Sequence, residues 1–295
     1  MKKILVTLTL VAVMSSGFAQ VEVGKVKGAI VGKGKLIAIE TDKMTLDNFS
    51  VMVNRYKFAE DQGANGAQVG IRASLGNVDE ALVQEITDDV YAYFVLKWKE
   101  RGVEVVVPTK AEIESSAKYS KAVKKGKEAN IISGGAWVNE GKKINQITVW
   151  PNGVNIGSSG SGPVAAFGNA ANLGLDGSGS GYFTSYTASV DFIEFKTAAI
   201  GSTAQVKTFP KLSSYNTLGA TKWQKNKVAM FGANNQANGL EEYYSERKDS
   251  DIGNLGMWEY VADQAKFKAN VTELIKKSMD EQFANYDAEV EKNTK

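Results

Sequence analysis

Residues 77–113 read NVDEALVQEITDDVYAYFVLKWKERGVEVVVPTKAEI, and this stretch decides the fold. Val78, Leu82, Ile86, Val90 and Phe94 recur every four residues, an apolar stripe of helical period. Glu80, Glu85, Asp88 and Asp89 fall mostly off it. Asn77 and Glu80 have the spacing of a capping box, with Asn in the usual place of Ser or Thr, and predict the helix start. Lys97, Lys99 and Arg101 crowd the last turn, where cations suit the helix dipole. Gly102 predicts the stop, because glycine takes left-handed backbone without strain. Val103-Glu104-Val105-Val106-Val107 follows, β-branched and nearly all apolar, and predicts a strand covered on both faces that ends at Pro108. Thr109 and Glu112 form a second capping box, opening a helix through Ile113, Ala117 and Val123. Helix, strand and helix joined by such short turns predict an α+β (α/β) layer.

Upstream, Val21 to Glu40 reads as two strands around Lys33-Gly34, with Leu36 to Ile39 the clearer one. Gly28, Gly32, Gly34 and Lys35 miss the spacing of a phosphate loop, and no helix follows them. Phe49, Val51 and Val53 alternate with Ser50, Met52 and Asn54 as a strand, and a Gly- and Asn-rich loop is expected from Asp61 to Gly70. Lys118, Lys121, Lys124, Lys125 and Lys127 read as a solvated helix face, with only Tyr119 as an interleaved aromatic.

Downstream, Ile131 to Val138 and Ile144 to Trp150 read as strands, and Pro151-Asn152-Gly153 as a turn. Composition then shifts to Gly, Ser, Ala and Asn from Gly157 to Gly181, an insertion read as a mobile loop or hairpin tip. Its glycines do not form a dinucleotide fingerprint, and the lone Asp176 is a weak pointer to calcium. Tyr182, Thr184, Tyr186, Ala188, Val190 and Phe192 share one face of an alternating strand. After Phe192 the apolar set shifts to Ile193 and Phe195, which predicts a bulge or crossover. Ala204 to Phe209 and Lys222 to Phe231 are further strands, followed by a polar loop from Gly232 to Gly256. In that loop Asp249 and Asp251 do not make an EF-hand, because Gly253 and Asn254 invert its required order and Tyr260 replaces its last Glu. The stripe Phe267, Val271, Leu274, Ile275, Met279, Phe283, Tyr286 and Val290 predicts one long helix over Met257 to Glu291, broken near Asn270 and packed on its own sheet. The expected architecture is a mixed β-sheet packed by two capped helices and a long C-terminal helix.

Residues 1–19 have the form of a secretory signal peptide: Lys2 and Lys3, an apolar run from Ile4 to Met14, and small residues before a cut between Ala19 and Gln20. The apolar run is too short for a membrane anchor. Residues 20–295 then form a single exported domain. Cleavage removes two lysines and no acid, taking the formal charge from +2 to zero. A neutral chain has no general electrostatic pull on nucleic acid or anionic lipid. With no cysteine, thiolate nucleophiles, disulfides and a lipid anchor are excluded. With no histidine, Ser–His–Asp catalysis and HExxH zinc sites are excluded. Carboxylate chemistry stays open, as in glycoside hydrolysis. The least poor acid pair is Asp191 with Glu194, which a regular strand would place on opposite faces.

The join Lys99-Glu100-Arg101-Gly102-Val103-Glu104-Val105-Val106-Val107, entering a new helix at Thr109, resembles envelope domains of the curli-type secretion channel proteins and of the lipoprotein activators of penicillin-binding proteins. There too a helix runs into a glycine-led apolar strand and then a short helix. The resemblance spans residues 49 to 150 and the helical end. It implies an exported, non-catalytic, protein-binding or oligomerising domain.

The expected function is a non-enzymatic cell-envelope protein, periplasmic or outer-membrane-associated, with an assembly or secretion role. It binds protein partners or itself, and has no catalytic residues, no metal and no cofactor. The alternatives are an outer-membrane pore whose hairpins are the strands at Tyr182–Phe195 and Lys222–Phe231, and a carboxylate-dependent polysaccharide hydrolase.

Overall fold

An apolar helical stripe needs an apolar surface to cover it, and here that surface is the middle of a mixed sheet. The computed structural model describes residues 29–30, 41–62, 68–117, 136–141, 144–151, 176–200, 203–220, 229–236, 244–252 and 255–294. In chain order its elements are β1 (Ala29–Ile30), β2 (Lys43–Asn54), β3 (Tyr56–Gln62), β4 (Gln68–Gly76), α1 (Glu80–Glu100), β5 (Glu104–Val106), α2 (Lys110–Ser115), β6 (Ala136–Gly141), β7 (Ile144–Val149), β8 (Tyr182–Ile200), β9 (Thr203–Ala220), β10 (Ala229–Gln236), β11 (Tyr244–Ile252), β12 (Leu255–Ala262) and α3 (Gln264–Thr294). The fold is the expected α+β class.

The larger sheet runs β1-β10-β9-β8-β2-β7-β6, and β5 also pairs with β2. Strand β2 is central: β8 runs parallel along one edge, and the other edge is divided between β5 at Lys43–Thr45 and β7 at Val51–Asn54. A smaller sheet runs β11-β12-β4-β3. Helix α1 lies over β2, β5 and β7, and α3 over β9 and β10, with the two helices in contact. Phe94 of α1 is fully buried and meets Phe49 of β2 at 5.4 Å, Tyr186 of β8 at 5.7 Å and Phe283 of α3 at 6.2 Å between ring centroids. Trp98, one turn on, meets Phe283 at 5.0 Å and Tyr286 at 5.5 Å. The opposite face of β2 and β8 is polar but also buried, through Thr45, Asn48, Ser50 and Ser185.

The helices run parallel. Their ion pairs climb both chains together: Lys268 to Glu85 at 2.9 Å, Lys97 to Asp280 at 2.9 Å, and Arg101 to Asp287. The Asp280 contact also raises Lys97 well above the ordinary lysine range. These partly exposed pairs set register more than they add stability.

The stop of α1 follows the sequence. Gly102 has φ 75°, its N–H donates to the Lys99 carbonyl, and the Val103 N–H donates to the Trp98 carbonyl, a Schellman closure. The start does not. Asp79 is the N-cap, its carboxylate accepting from the Leu82 N–H at 2.9 Å. Asn77 instead takes φ 65° and donates its side-chain amide to the Ala262 carbonyl at 3.0 Å. Asn tolerates that left-handed backbone, and Asp serves as well as Asn at the N-cap.

Other expectations also change. Strand β5 is not covered on both faces: Glu104 is exposed and Val105 to Val107 are half-buried, because β5 pairs with only the first three residues of β2. The described residues of the loop expected at 61–70, namely 61–62 and 68–70, belong to the antiparallel pair β3–β4. Strand β9 extends far past Phe209, and β10, β11 and β12 occupy most of the expected loop at 232–256 and the first turns of the expected last helix. Helix α3 begins after Asp263, whose side chain accepts from the Lys266 N–H at 3.1 Å, and it is unbroken at Asn270, which is buried. Its predicted stripe is buried from Phe267 to Tyr286. The signal segment, the lysines at 118–127, the strands at 36–39 and 222–228, and the insertion up to 175 lie outside the described residues.

Two outcomes follow from this packing. Phe94→Ala should lower unfolding free energy by about 3–5 kcal/mol in urea titration, since four rings lose a shared neighbour. The Thr109 backbone N–H and hydroxyl, at 2.7 and 2.8 Å, hold the Glu112 carboxyl below the ordinary glutamate range. A depressed folded value means the box stabilises α2 above the unfolded glutamate pKa and loses its effect as pH falls through the lower folded one. The protection of α2 amides, taken relative to their intrinsic exchange rate at each pH, should therefore fall on acidification, and Glu112→Gln should remove that fall.

Candidate functional site: the β8–β9 ribbon and its base

Strand β8 enters the sheet through a closed turn. The Asp176 carboxylate accepts from the Thr45 hydroxyl at 3.2 Å, the Ser178 hydroxyl at 2.9 Å and the Gly181 N–H at 2.8 Å. Gly179 and Gly181 have φ 67° and 74°. Positive φ explains these two glycines, and the described end of the insertion is an anchored turn rather than a mobile loop. The Asp176 oxygens are occupied in closing it.

From Thr45↔Phe183 to Asn54↔Asp191 strand β8 is flanked by β2, and from Lys211 to Leu218 strand β9 is flanked by β10. Beyond that the two strands go on together, from Glu194↔Phe209 to Ile200↔Thr203. Along this outer part neither strand pairs with a further strand among the described residues, although β3 approaches β8 near the start of it. It is a two-stranded ribbon.

The ribbon begins at the predicted irregularity. Between Asp191↔Lys211 and Glu194↔Phe209, two residues of β8, Phe192 and Ile193, stand against the single Pro210 of β9. Proline has no N–H for a ladder, and a bulge is where a strand can hold one. Phe192 is buried and meets Tyr260 of β12 edge-on at 6.0 Å, so the bulge also joins the two sheets. Asp191 accepts from the side-chain amide of Asn54 and pairs with Lys57 at 2.8 Å. The end of β2, the start of β3 and the bulge of β8 are thus fastened at one point.

Cross-strand partners share a face, so the register sorts the ribbon's residues. Glu194, Lys196, Ala198, Ile200, Thr203, Gln205, Lys207 and Phe209 fall at register positions of one face, and Phe195, Thr197, Ala199, Ala204, Val206 and Thr208 at those of the other. Only the first face carries charge. Lys196 and Lys207 are direct register partners.

Of the candidate acids, Asp191 is committed to Lys57 and Asn54. The regular alternation expected between Asp191 and Glu194 is interrupted by the bulge. Sequence alone did not point to Asn54 and Lys57 as partners and placed no strand between Phe209 and Lys222. The available signal was Pro210, set across from the break in alternation after Phe192. Comparison with protein-family models, curated proteins and solved structures finds no match to this chain.

Asp191→Ala should speed amide exchange across 194–209 while α1 keeps its protection, because it removes the fastening of the ribbon base. Equal loosening of both regions would mean that Asp191 supports the whole fold instead.

Proposed function

We propose that this chain is a non-enzymatic cell-envelope protein, periplasmic or outer-membrane-associated, that assembles with protein partners through open strand edges. The ribbon carries the proposal. Its strands leave the body at a fastened base and present backbone donors and acceptors on both edges among the described residues. An isolated two-stranded ribbon is marginal in water, and added strands stabilise it. The export-type N-terminus and the lack of histidine and cysteine support the same reading.

Ribbon length bears on the pore alternative. Glu194 to Ile200 is seven residues. A strand that crosses an outer membrane uses roughly 9–11 tilted residues. Protein assembly is therefore favoured over a crossing built from this ribbon alone. Among the described residues no helix is long and apolar enough to cross a membrane.

Cell fractionation should find the protein in the envelope, and affinity capture from envelope extracts should retain partners or further copies. Replacing 194–209 with an Asn-Gly turn should leave a folded chain that captures neither. A cytoplasmic protein, or capture unchanged by the deletion, would overturn the proposal.

A further inference from the structure

The fastening at the ribbon base holds reactive groups as well as structural ones. Asn54 and Asp191 are direct register partners on β2 and β8. Lys57 lies just past the break between β2 and β3, where the Arg55 carbonyl accepts from the Leu75 N–H at 2.8 Å. That fixed corner brings Lys57 back onto the same carboxylate.

A single oxygen, Oδ1 of Asp191, takes both contacts. The Asn54 side-chain amide donates to it, and the Lys57 ammonium pairs with it at 2.8 Å. Two donors on one acceptor lie about 4–5 Å apart. An amine, a primary carboxamide and a carboxylate between them are the parts of an amide exchange. The amine is the nucleophile, the carboxamide carbon is attacked, and the carboxylate moves the proton. Val53, Val190 and Phe192 are buried beside them, and the Lys57 and Asp191 side chains are only 29% and 16% exposed. Groups held this close within one chain react as if at a very high concentration.

We infer that Asn54 and Lys57 condense to an isopeptide bond, with Asp191 carrying the protons. Asp191 takes a proton from the Lys57 ammonium along their ion pair. The freed Nζ attacks Cγ of Asn54, forming the new C–N bond, and the carbonyl electron pair moves onto Oδ1 of Asn54. Asp191 gives its proton to Nδ2 along the existing hydrogen bond. The carbonyl re-forms, the Cγ–Nδ2 bond breaks, and its electron pair leaves with ammonia. Asp191 then takes the surplus proton from Nζ and passes it to the ammonia, which departs as ammonium. Atoms and charge balance with no co-reactant. The bond closes the β2–β3 corner in a chain that has no cysteine to staple it. Its formation needs no partner, so it is independent of the assembly proposed above.

The test is trypsin digestion of the full chain after incubation at neutral pH, read by mass spectrometry. The peptide ending at Arg55 should stay joined to the one beginning at Tyr56, with no cut after Lys57. The joined product should be one ammonia lighter than the sum of its parts. Lys57→Arg, which keeps a cation beside Asp191, and Asn54→Ala should give no joined peptide. Asp191→Asn should slow the joining about a hundredfold or more while α1 keeps its amide protection. Separate peptides from the wild-type chain overturn the bond. So does loss of ammonia at Asn54 with Lys57 still cut, the mark of a succinimide. Loss of water with Lys57 joined to Asp191 overturns the assignment of Asn54. Joining at an unchanged rate in Asp191→Asn overturns the proton-carrying role.

Discussion

The ring of Phe94 stands where the central strand, its parallel neighbour and the last helix meet. It touches the central strand through Phe49, the neighbouring parallel strand through Tyr186, and the last helix through Phe283. Each contact is made by a segment distant in sequence. Aromatic packing at tilted and edge-on angles fixes orientation as well as burying area. Once α1 is seated on this cluster, its end at Gly102 places β5 beside the first residues of β2, and the parallel course of α3 follows from Trp98 against Phe283 and Tyr286. The sheet can then extend β8 and β9 outward from a body that is already closed.

That outward extension needs a boundary. Within the body, β8 is paired with β2 and β9 with β10; outside it, the strands pair only with each other among the described residues. The boundary is made of local chemistry. A proline that cannot donate stands against two residues of the facing strand, an aromatic side chain turns into the seam between sheets, and a carboxylate is held by an amide and an ammonium. These features change the twist of the strands where their neighbours end. The ribbon thereby starts where the pairing of β8 with β2 and of β9 with β10 ends.

Local signals were legible in the sequence where local chemistry decides the structure. The Thr109–Glu112 box, the Gly102 stop, the α3 stripe and the break after Phe192 all depend on neighbours within a few residues. Tyr244 to Ile252 is rich in charge and Ser, which reads as loop, yet it forms β11 because β12 supplies its ladder. Glycines at 70 and 76 disguised β4, whose partners β3 and β12 lie on either side of it. Asn77 looked like a cap because its spacing fitted, while its real partner is Ala262. The ribbon base was legible only in part, since Asp191 meets Asn54 and Lys57 across a large sequence gap.

The contact between Asn77 and Ala262 has a temporal meaning as well. The Gln264 side chain returns a hydrogen bond to the Asn77 carbonyl, so the entrances to α1 and α3 are tied together. The parallel pairs β2–β8 and β4–β12 likewise wait for distant chain. Such topologies gain their contacts late and fold slowly. A ribosome delivering this polypeptide from its amino end would release most of it before Phe94 could find Phe283. Until that moment the part of α1 that packs on α3 stays wet, which leaves the chain dependent on whatever shields it meanwhile.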